Sequence, residues 1–198
     1  MGVGGQGVVL LSELLGRVAT EEGFNVRGSE VLGMAVRGGS VVSTVRLGSD
    51  VHGPLIPMGK GDILIGMEPA EALRHAVYIS RSGMVLLNTR KVVPYTTTLG
   101  EREYPDLEII IGRLKSIISR VVALDAVQMA LEAGSALAAN IVMLGALFAT
   151  GQLPLDAEKM KLALKANFPP KVAPANMKAF ELGYARCREA MGLTRPVE

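Results

Sequence analysis

Gly2-Val-Gly4-Gly5-Gln6-Gly7 opens the chain and runs directly into Val8-Val-Leu-Leu-Ser-Glu-Leu-Leu-Gly-Arg-Val-Ala-Thr-Glu-Glu22, where apolar residues recur at helical spacing. Gly23 ends that helix. Gly2, Gly4 and Gly7 have the spacing G-x-G-x-x-G, in which a tight turn and a close backbone approach set the amides of a helix N-terminus against an anion. Two features depart from the dinucleotide version of that loop. Only Met1 stands before Gly2, so the strand expected ahead of the loop is absent. No acid lies about 20 residues on to hold a ribose hydroxyl; the chain reads Phe24-Asn-Val-Arg27 there. Binding of some other anion, or a glycine turn that only lets helix and sheet pack closely, fits these residues better than NAD.

Outward from the loop, Asp62-Ile-Leu-Ile-Gly-Met67 reads as a buried strand, Pro69 to Ser80 as a helix with proline in its first turn, and Met84-Val-Leu-Leu-Asn88 as a second strand. Leu107 to Ser119 predicts a helix, Val121-Val-Ala-Leu124 a strand and Ala126 to Ala133 a helix. Strands separated by helices imply crossover connections and a parallel sheet. Phe24 to Arg27 and Val41 to Leu47 are further extended runs, the second able to add an antiparallel pair. From Ser135 the chain reads as helical: 135–150, then Asp156 to Asn167 with Asp156 as N-cap, then Pro174 to Met191. The fold class is α/β, a three-layer, Rossmann-like, mostly parallel sheet flanked by helices, with a helical C-terminal third. Residues 1–192 form a single domain and 193–198 a tail. The 135–150 helix is apolar on nearly every face, so its own domain or a partner must cover it.

Composition narrows the function. The chain has 198 residues, enough for one domain with a real core, and 49% of them are hydrophobic, which excludes a disordered chain. Lys and Arg number 21 against 19 Asp and Glu, so no basic face marks a nucleic-acid partner. The single cysteine, Cys187, allows no internal disulfide, no Cys-based zinc site and no iron–sulfur cluster. Flanked by Arg186 and Arg188, it reads as a packing thiol. Ala136 to Ala149 falls short of the roughly 20 residues that span a bilayer, and no signal segment opens the chain, so a soluble, cytoplasmic protein is expected. His52 and His75 lack catalytic spacing to a carboxylate and read as solvated or core residues.

Ligands of open α/β sheets meet the crevice beyond the carboxyl ends of the strands. That edge collects the glycine loop, Glu68, Asn88 with Thr89, and Asp125. Glu68 precedes Pro69 and Asp125 precedes a helix, so each also suits a helix cap. Arg27-Gly-Ser-Glu30 and Arg37-Gly38-Gly39-Ser40 place a bidentate anion donor beside backbone that admits close approach. The candidate binding residues are therefore Gly2, Gly4, Gly5, Gln6, Gly7, Arg37, Gly38, Gly39, Ser40, Glu68 and Asn88. No residue stands out as catalytic or metal-ligating.

Gly2-Val-Gly-Gly-Gln-Gly-Val8, the run from Arg27-Gly-Ser-Glu to Arg37-Gly-Gly-Ser-Val-Val-Ser43, Pro54-Leu-Ile-Pro57, Glu68-Pro-Ala-Glu-Ala-Leu-Arg74, Asn88-Thr89 and Asn140 resemble the gamma subunit of 2-oxoacid:ferredoxin oxidoreductases, closest to the indolepyruvate oxidoreductase beta-subunit branch. The resemblance runs from Gly2 to about Gly192. It departs in the strand ahead of the glycines and in Val36, where the family often has Gln. It implies a subunit, inactive alone, of an assembly that oxidatively decarboxylates a 2-oxo acid with coenzyme A to acyl-CoA, CO2 and reduced ferredoxin. It also implies that thiamine diphosphate and the iron–sulfur clusters sit on a partner subunit. This chain would then help form the coenzyme A or substrate site, with the glycine loop and Arg37 near a phosphate. An independent nucleotide-binding module and a purely structural subunit are the alternatives, and a homodimer would also cover the apolar helix.

Overall fold

A computed structural model of the chain describes residues 1–35, 37–93 and 103–193. Strand β1 (Gly2–Val3) leads into α1 (Val8–Glu21), followed by β2 (Asn25–Leu32), β3 (Ser40–Gly48) and β4 (Gly61–Gly66). Next come α2 (Pro69–Arg74), a 3-10 turn (Ala76–Tyr78), β5 (Ile79–Asn88), α3 (Leu107–Ile117), β6 (Arg120–Leu124) and α4 (Ala126–Ala133). A second 3-10 turn (Ala136–Ala138), α5 (Ala139–Ala149), α6 (Ala157–Asn167) and α7 (Ala173–Ala190) complete the described chain. β4, β5 and β6 pair in parallel, whereas β1, β3 and β2 form an antiparallel sheet.

β5 shows why the parallel sheet is sandwiched. Its apolar residues continue on both faces, and successive side chains of a strand point to opposite sides. Val85 and Leu87 enter a core shared with Leu64, Ile110 and Leu114, beneath α2 and α3. Met84 and Leu86 enter the opposite core, with side chains of α1, α4, α5 and α7. This is the three-layer α/β arrangement that the alternation of strands and helices predicts. Among the described residues no helix is long and apolar enough to cross a membrane. The predicted tail at 193–198 lies outside the described residues, Leu193 excepted.

Several boundaries differ from the sequence reading. Gly2 and Val3, read as loop, form a short strand on β3, and Met1 lies against β4, its ammonium donating to the Ile65 carbonyl at 2.9 Å while Met67 N–H donates to its carbonyl at 2.7 Å. This short strand lies within the glycine motif itself, where the glycines hide it from a reading by strand propensity. The helix predicted to reach Ser80 stops at Arg74, where the His75 ring meets the Glu71 carbonyl, and Ile79 instead pairs with Gly61 at the start of β5. β2 continues to Leu32, so Arg27-Gly-Ser-Glu30 is strand rather than anion loop, and the Arg27 guanidinium donates to the Val26 carbonyl. The 135–150 helix begins as a 3-10 turn.

The protein's own domain covers α5. Every residue from Asn140 to Ala149 is buried, and the face toward α7 is closed by direct backbone contact. A Cβ on Gly145 would overlap the Phe180 carbonyl, and one on Gly183 would overlap the Val142 carbonyl. Each glycine receives the backbone of the other helix, so neither helix can withdraw without opening the core. Farther along α7, Cys187 is fully buried, and that burial pushes its thiol up to about 11 from 9.0.

Gly183→Ala should lower stability by about 3 kcal/mol, because the helices must separate to admit a methyl group; urea midpoints compared with wild type measure this. The Cys187 thiol holds its proton more tightly when folded, so its contribution is complete below pH 9.0 and fades as pH rises toward about 11. At pH 8 the native protein should resist iodoacetamide, while the chain unfolded in urea should be alkylated readily.

Candidate functional site

The carboxyl ends of the parallel strands bring most of the predicted residues together, and the glycine loop crosses above them. Gly5 and Gly7 have φ of 99° and 70°, the left-handed region that glycine enters without strain. Those two reversals turn the chain from β1 into α1. The helix starts with no side-chain cap, so the first-turn amides of Val8, Val9 and Leu10 have no acceptor within it. Together with the helix dipole they make the mouth of the loop electropositive.

The second motif docks on the first through backbone alone. Gly4 N–H donates to the Gly39 carbonyl at 2.8 Å, and Gly38 N–H donates back to the Gly4 carbonyl at 3.2 Å. Gly38, with φ of 73°, makes the turn that lets this exchange occur. Arg37, the exposed residue immediately before it, therefore sits on the turn that abuts the glycine loop. Ser40 starts β3, and its hydroxyl donates to Glu71 Oε2 at 2.5 Å. Glu71 is itself buried and pairs with Arg74 at 3.0 Å.

Gln6, Glu68 and Asn88 do different work from the glycines. Gln6 accepts from Val3 N–H through Oε1 and donates through Nε2 to the Met67 carbonyl, both at 2.9 Å. Asn88, 1% exposed, donates to the same carbonyl at 2.9 Å, while its Oδ1 accepts from Ala126 N–H at 3.1 Å and from Arg90 N–H at 3.4 Å. Glu68, also 1% exposed, caps α2 by accepting from Glu71 N–H at 2.9 Å and takes a very short hydrogen bond from the Tyr104 hydroxyl. Burial, and then the Glu68 carboxylate, push the Tyr104 hydroxyl well above its ordinary range, so it remains a donor. These three side chains fasten backbone to backbone. Asp125 caps α4 through Gln128 N–H at 2.9 Å, and His52 pairs with Asp50 on the surface.

Residues that the spacing did not single out complete the site. Asn140, buried at the start of α5, donates to the Gly7 carbonyl at 3.2 Å, and a Cβ on Gly7 would collide with its amide. It is 133 residues away in sequence, so no local pattern links them. Spacing gave Glu71 no role of its own, because Arg74 and His75 lie at the spacing of ordinary surface helix pairs. Among the described residues there is no group of three or more His, Cys, Asp or Glu that could hold a metal ion.

A profile of the family described as pyruvate ferredoxin/flavodoxin oxidoreductase matches residues 1–186. The indolepyruvate oxidoreductase subunit IorB of Archaeoglobus fulgidus is 44% identical over 184 residues, covering 93% of this chain and 91% of that protein. The crystal structure of a keto/oxoacid ferredoxin oxidoreductase gamma subunit from Geobacter sulfurreducens aligns over 95% of both chains, with a TM-score of 0.66 and 23% identity. The 2-oxoglutarate:ferredoxin oxidoreductase of Magnetococcus marinus, solved with 2-oxoglutarate, coenzyme A and succinyl-CoA bound, covers 98% of this chain with 31% of its own, at a TM-score of 0.69 and 20% identity. Both structural likenesses speak to the fold. Family profile, close relative and layered architecture agree, and the chain belongs to the pyruvate ferredoxin/flavodoxin oxidoreductase family.

Proposed function

We propose that this chain is the subunit without thiamine of a 2-oxoacid:ferredoxin oxidoreductase, with an arylpyruvate such as indolepyruvate as substrate, working in the cytoplasm. The assembly converts a 2-oxo acid and coenzyme A to acyl-CoA and CO2, and the electron pair released passes to ferredoxin. The relative that is 44% identical is named as an indolepyruvate oxidoreductase subunit, which supports the choice of substrate class. Thiamine diphosphate on the partner subunit would supply the carbanion chemistry, and iron–sulfur clusters there would carry electrons outward.

The task left to this chain is to hold the charged acyl acceptor. One observation carries this reading: the Arg37-Gly-Gly turn is locked onto the glycine loop by the exchange between Gly4 and the two glycines 38 and 39. That lock supports placing the Arg37 guanidinium near the uncapped amides of α1, a combination suited to a phosphate of coenzyme A. Gln6, Glu68 and Asn88 would act indirectly, by keeping the loop and strand ends rigid.

In the reconstituted complex, Arg37→Ala should raise the apparent KM for coenzyme A by about tenfold, the worth of one charge-assisted hydrogen bond, while kcat at saturating coenzyme A changes little. An unchanged requirement would refute the placement. Coenzyme A at about 100 times its Kd should stabilise the complex by roughly 2.7 kcal/mol in a thermal-shift titration. NAD or FMN giving that shift instead would favour an independent nucleotide module, and no shift with any of them a structural subunit. Gly7→Ala should cost about 2 kcal/mol through its left-handed φ and the Asn140 collision, and raise the coenzyme A requirement as well.

A further inference from the structure

Two helices, α1 and α4, begin beyond the carboxyl ends of the parallel strands on the face that carries Met84 and Leu86. Their first turns differ. At α4 the Asp125 carboxylate accepts from Gln128 N–H at 2.9 Å and Asn88 Oδ1 accepts from Ala126 N–H at 3.1 Å, so that helix start already holds a negative charge of its own. The start of α1 has no side-chain cap. An anion reaching this edge is therefore drawn to α1 and kept from α4.

β5 lies between β4 and β6 and ends at Asn88, and Thr89 N–H still donates to the Leu124 carbonyl of β6 at 2.9 Å, so the chain runs on extended into two cations, Arg90 and Lys91. Successive side chains of an extended chain leave to opposite faces, and the contacts obey that rule on both sides. Val85 and Leu87 face α2 and α3; Lys91, two steps of the alternation farther on, lies 5.5 Å from the centre of the Tyr104 ring and 3.8 Å from Asp106 at the head of α3. Met84 and Leu86 face the other way, and Asn88 follows them to the Ala126 amide. The same alternation carries Arg90 to that second face, the one on which α1 starts. Its backbone is tied to the loop, because Arg90 N–H donates to Asn88 Oδ1 at 3.4 Å while Asn88 Nδ2 shares the Met67 carbonyl with Gln6. Arg90 is exposed and, among the described residues, enters no ion pair.

We propose, on the reading of the glycine loop as a coenzyme A site, that Arg90 is a second phosphate-binding residue of that site, meeting the carrier from the end of β5 while Arg37 and the α1 amides meet it from the loop. Coenzyme A bears a pyrophosphate and a separate 3′-phosphate, and one guanidinium with a set of amides leaves part of that charge unmatched. A second planar fork, unpaired within the chain, supplies the missing donors in bidentate form. Lys91 takes no part, since Tyr104 and Asp106 hold it on the opposite face.

Steady-state kinetics of the reconstituted complex test this. Arg90→Ala should raise the apparent KM for coenzyme A about tenfold with kcat at saturation little changed, Arg90→Lys should recover part of the loss by restoring the charge without the fork, and Lys91→Ala should leave the KM unchanged. As a competitor of coenzyme A, 3′-phospho-ADP carries the same phosphates without the thiol arm, and its inhibition constant should rise in Arg90→Ala by the same factor. An unchanged inhibition constant, or an equal rise of the KM in Lys91→Ala, would overturn the role of Arg90. So would an unchanged KM in Arg90→Ala beside a raised one in Arg37→Ala, which would leave the glycine-loop reading standing; no change in either arginine variant would overturn both.

Discussion

Two amide side chains, those of Gln6 and Asn88, donate to one backbone oxygen, the Met67 carbonyl at the carboxyl end of β4. Gln6 belongs to the glycine loop and Asn88 ends β5, and the Asn88 oxygen in turn accepts from Ala126 at the head of α4. A single carbonyl with two lone pairs thus ties the loop to two neighbouring strands and, through Asn88, to the helix after β6. Because the site is buried, removing either donor would strand a polar group in low dielectric, where the loss exceeds the modest net worth of an exposed hydrogen bond.

The chemical character of the site follows from that saturation. With Gln6, Glu68 and Asn88 committed to protein partners, the groups without one here are the uncapped first-turn amides of α1 and the exposed Arg37. Amides held by a rigid turn need little reorganisation to meet a charge, and the helix dipole adds to their field. Such a surface is the one proposed above to hold the acyl carrier's phosphate.

The layered fold was legible because buried parallel strands announce themselves as short apolar runs: 62–67, 84–88 and 121–124 each fall on an observed strand within a few residues. Boundaries failed where a side chain overrode propensity, as at His75, which ends α2 through the Glu71 carbonyl. Glycine spacing located the loop and the Arg37 turn but not their contact, because the hydrogen bonds between Gly4 and residues 38 and 39 involve no side chain at all. Nor does spacing distinguish a polar residue at a strand end that greets a ligand from one that clips backbone together. Glu68 and Asn88 look alike in both roles until their partners are seen.

Asn140 links the loop to the part of the chain that looks furthest from function. It begins α5, the helix buried on every side, and its amide supports the Gly7 carbonyl at the left-handed turn. The position of that amide is fixed by the rest of α5, which the mutual insertion of Gly145 and Gly183 holds against α7. A helix pair in backbone contact has almost no freedom to slide, since any displacement drives a carbonyl into a Cα. The C-terminal helices therefore set the geometry of the N-terminal loop. A disturbance at Gly183 should reach the glycine turn by way of Asn140, although neither residue lies near Arg37 in sequence.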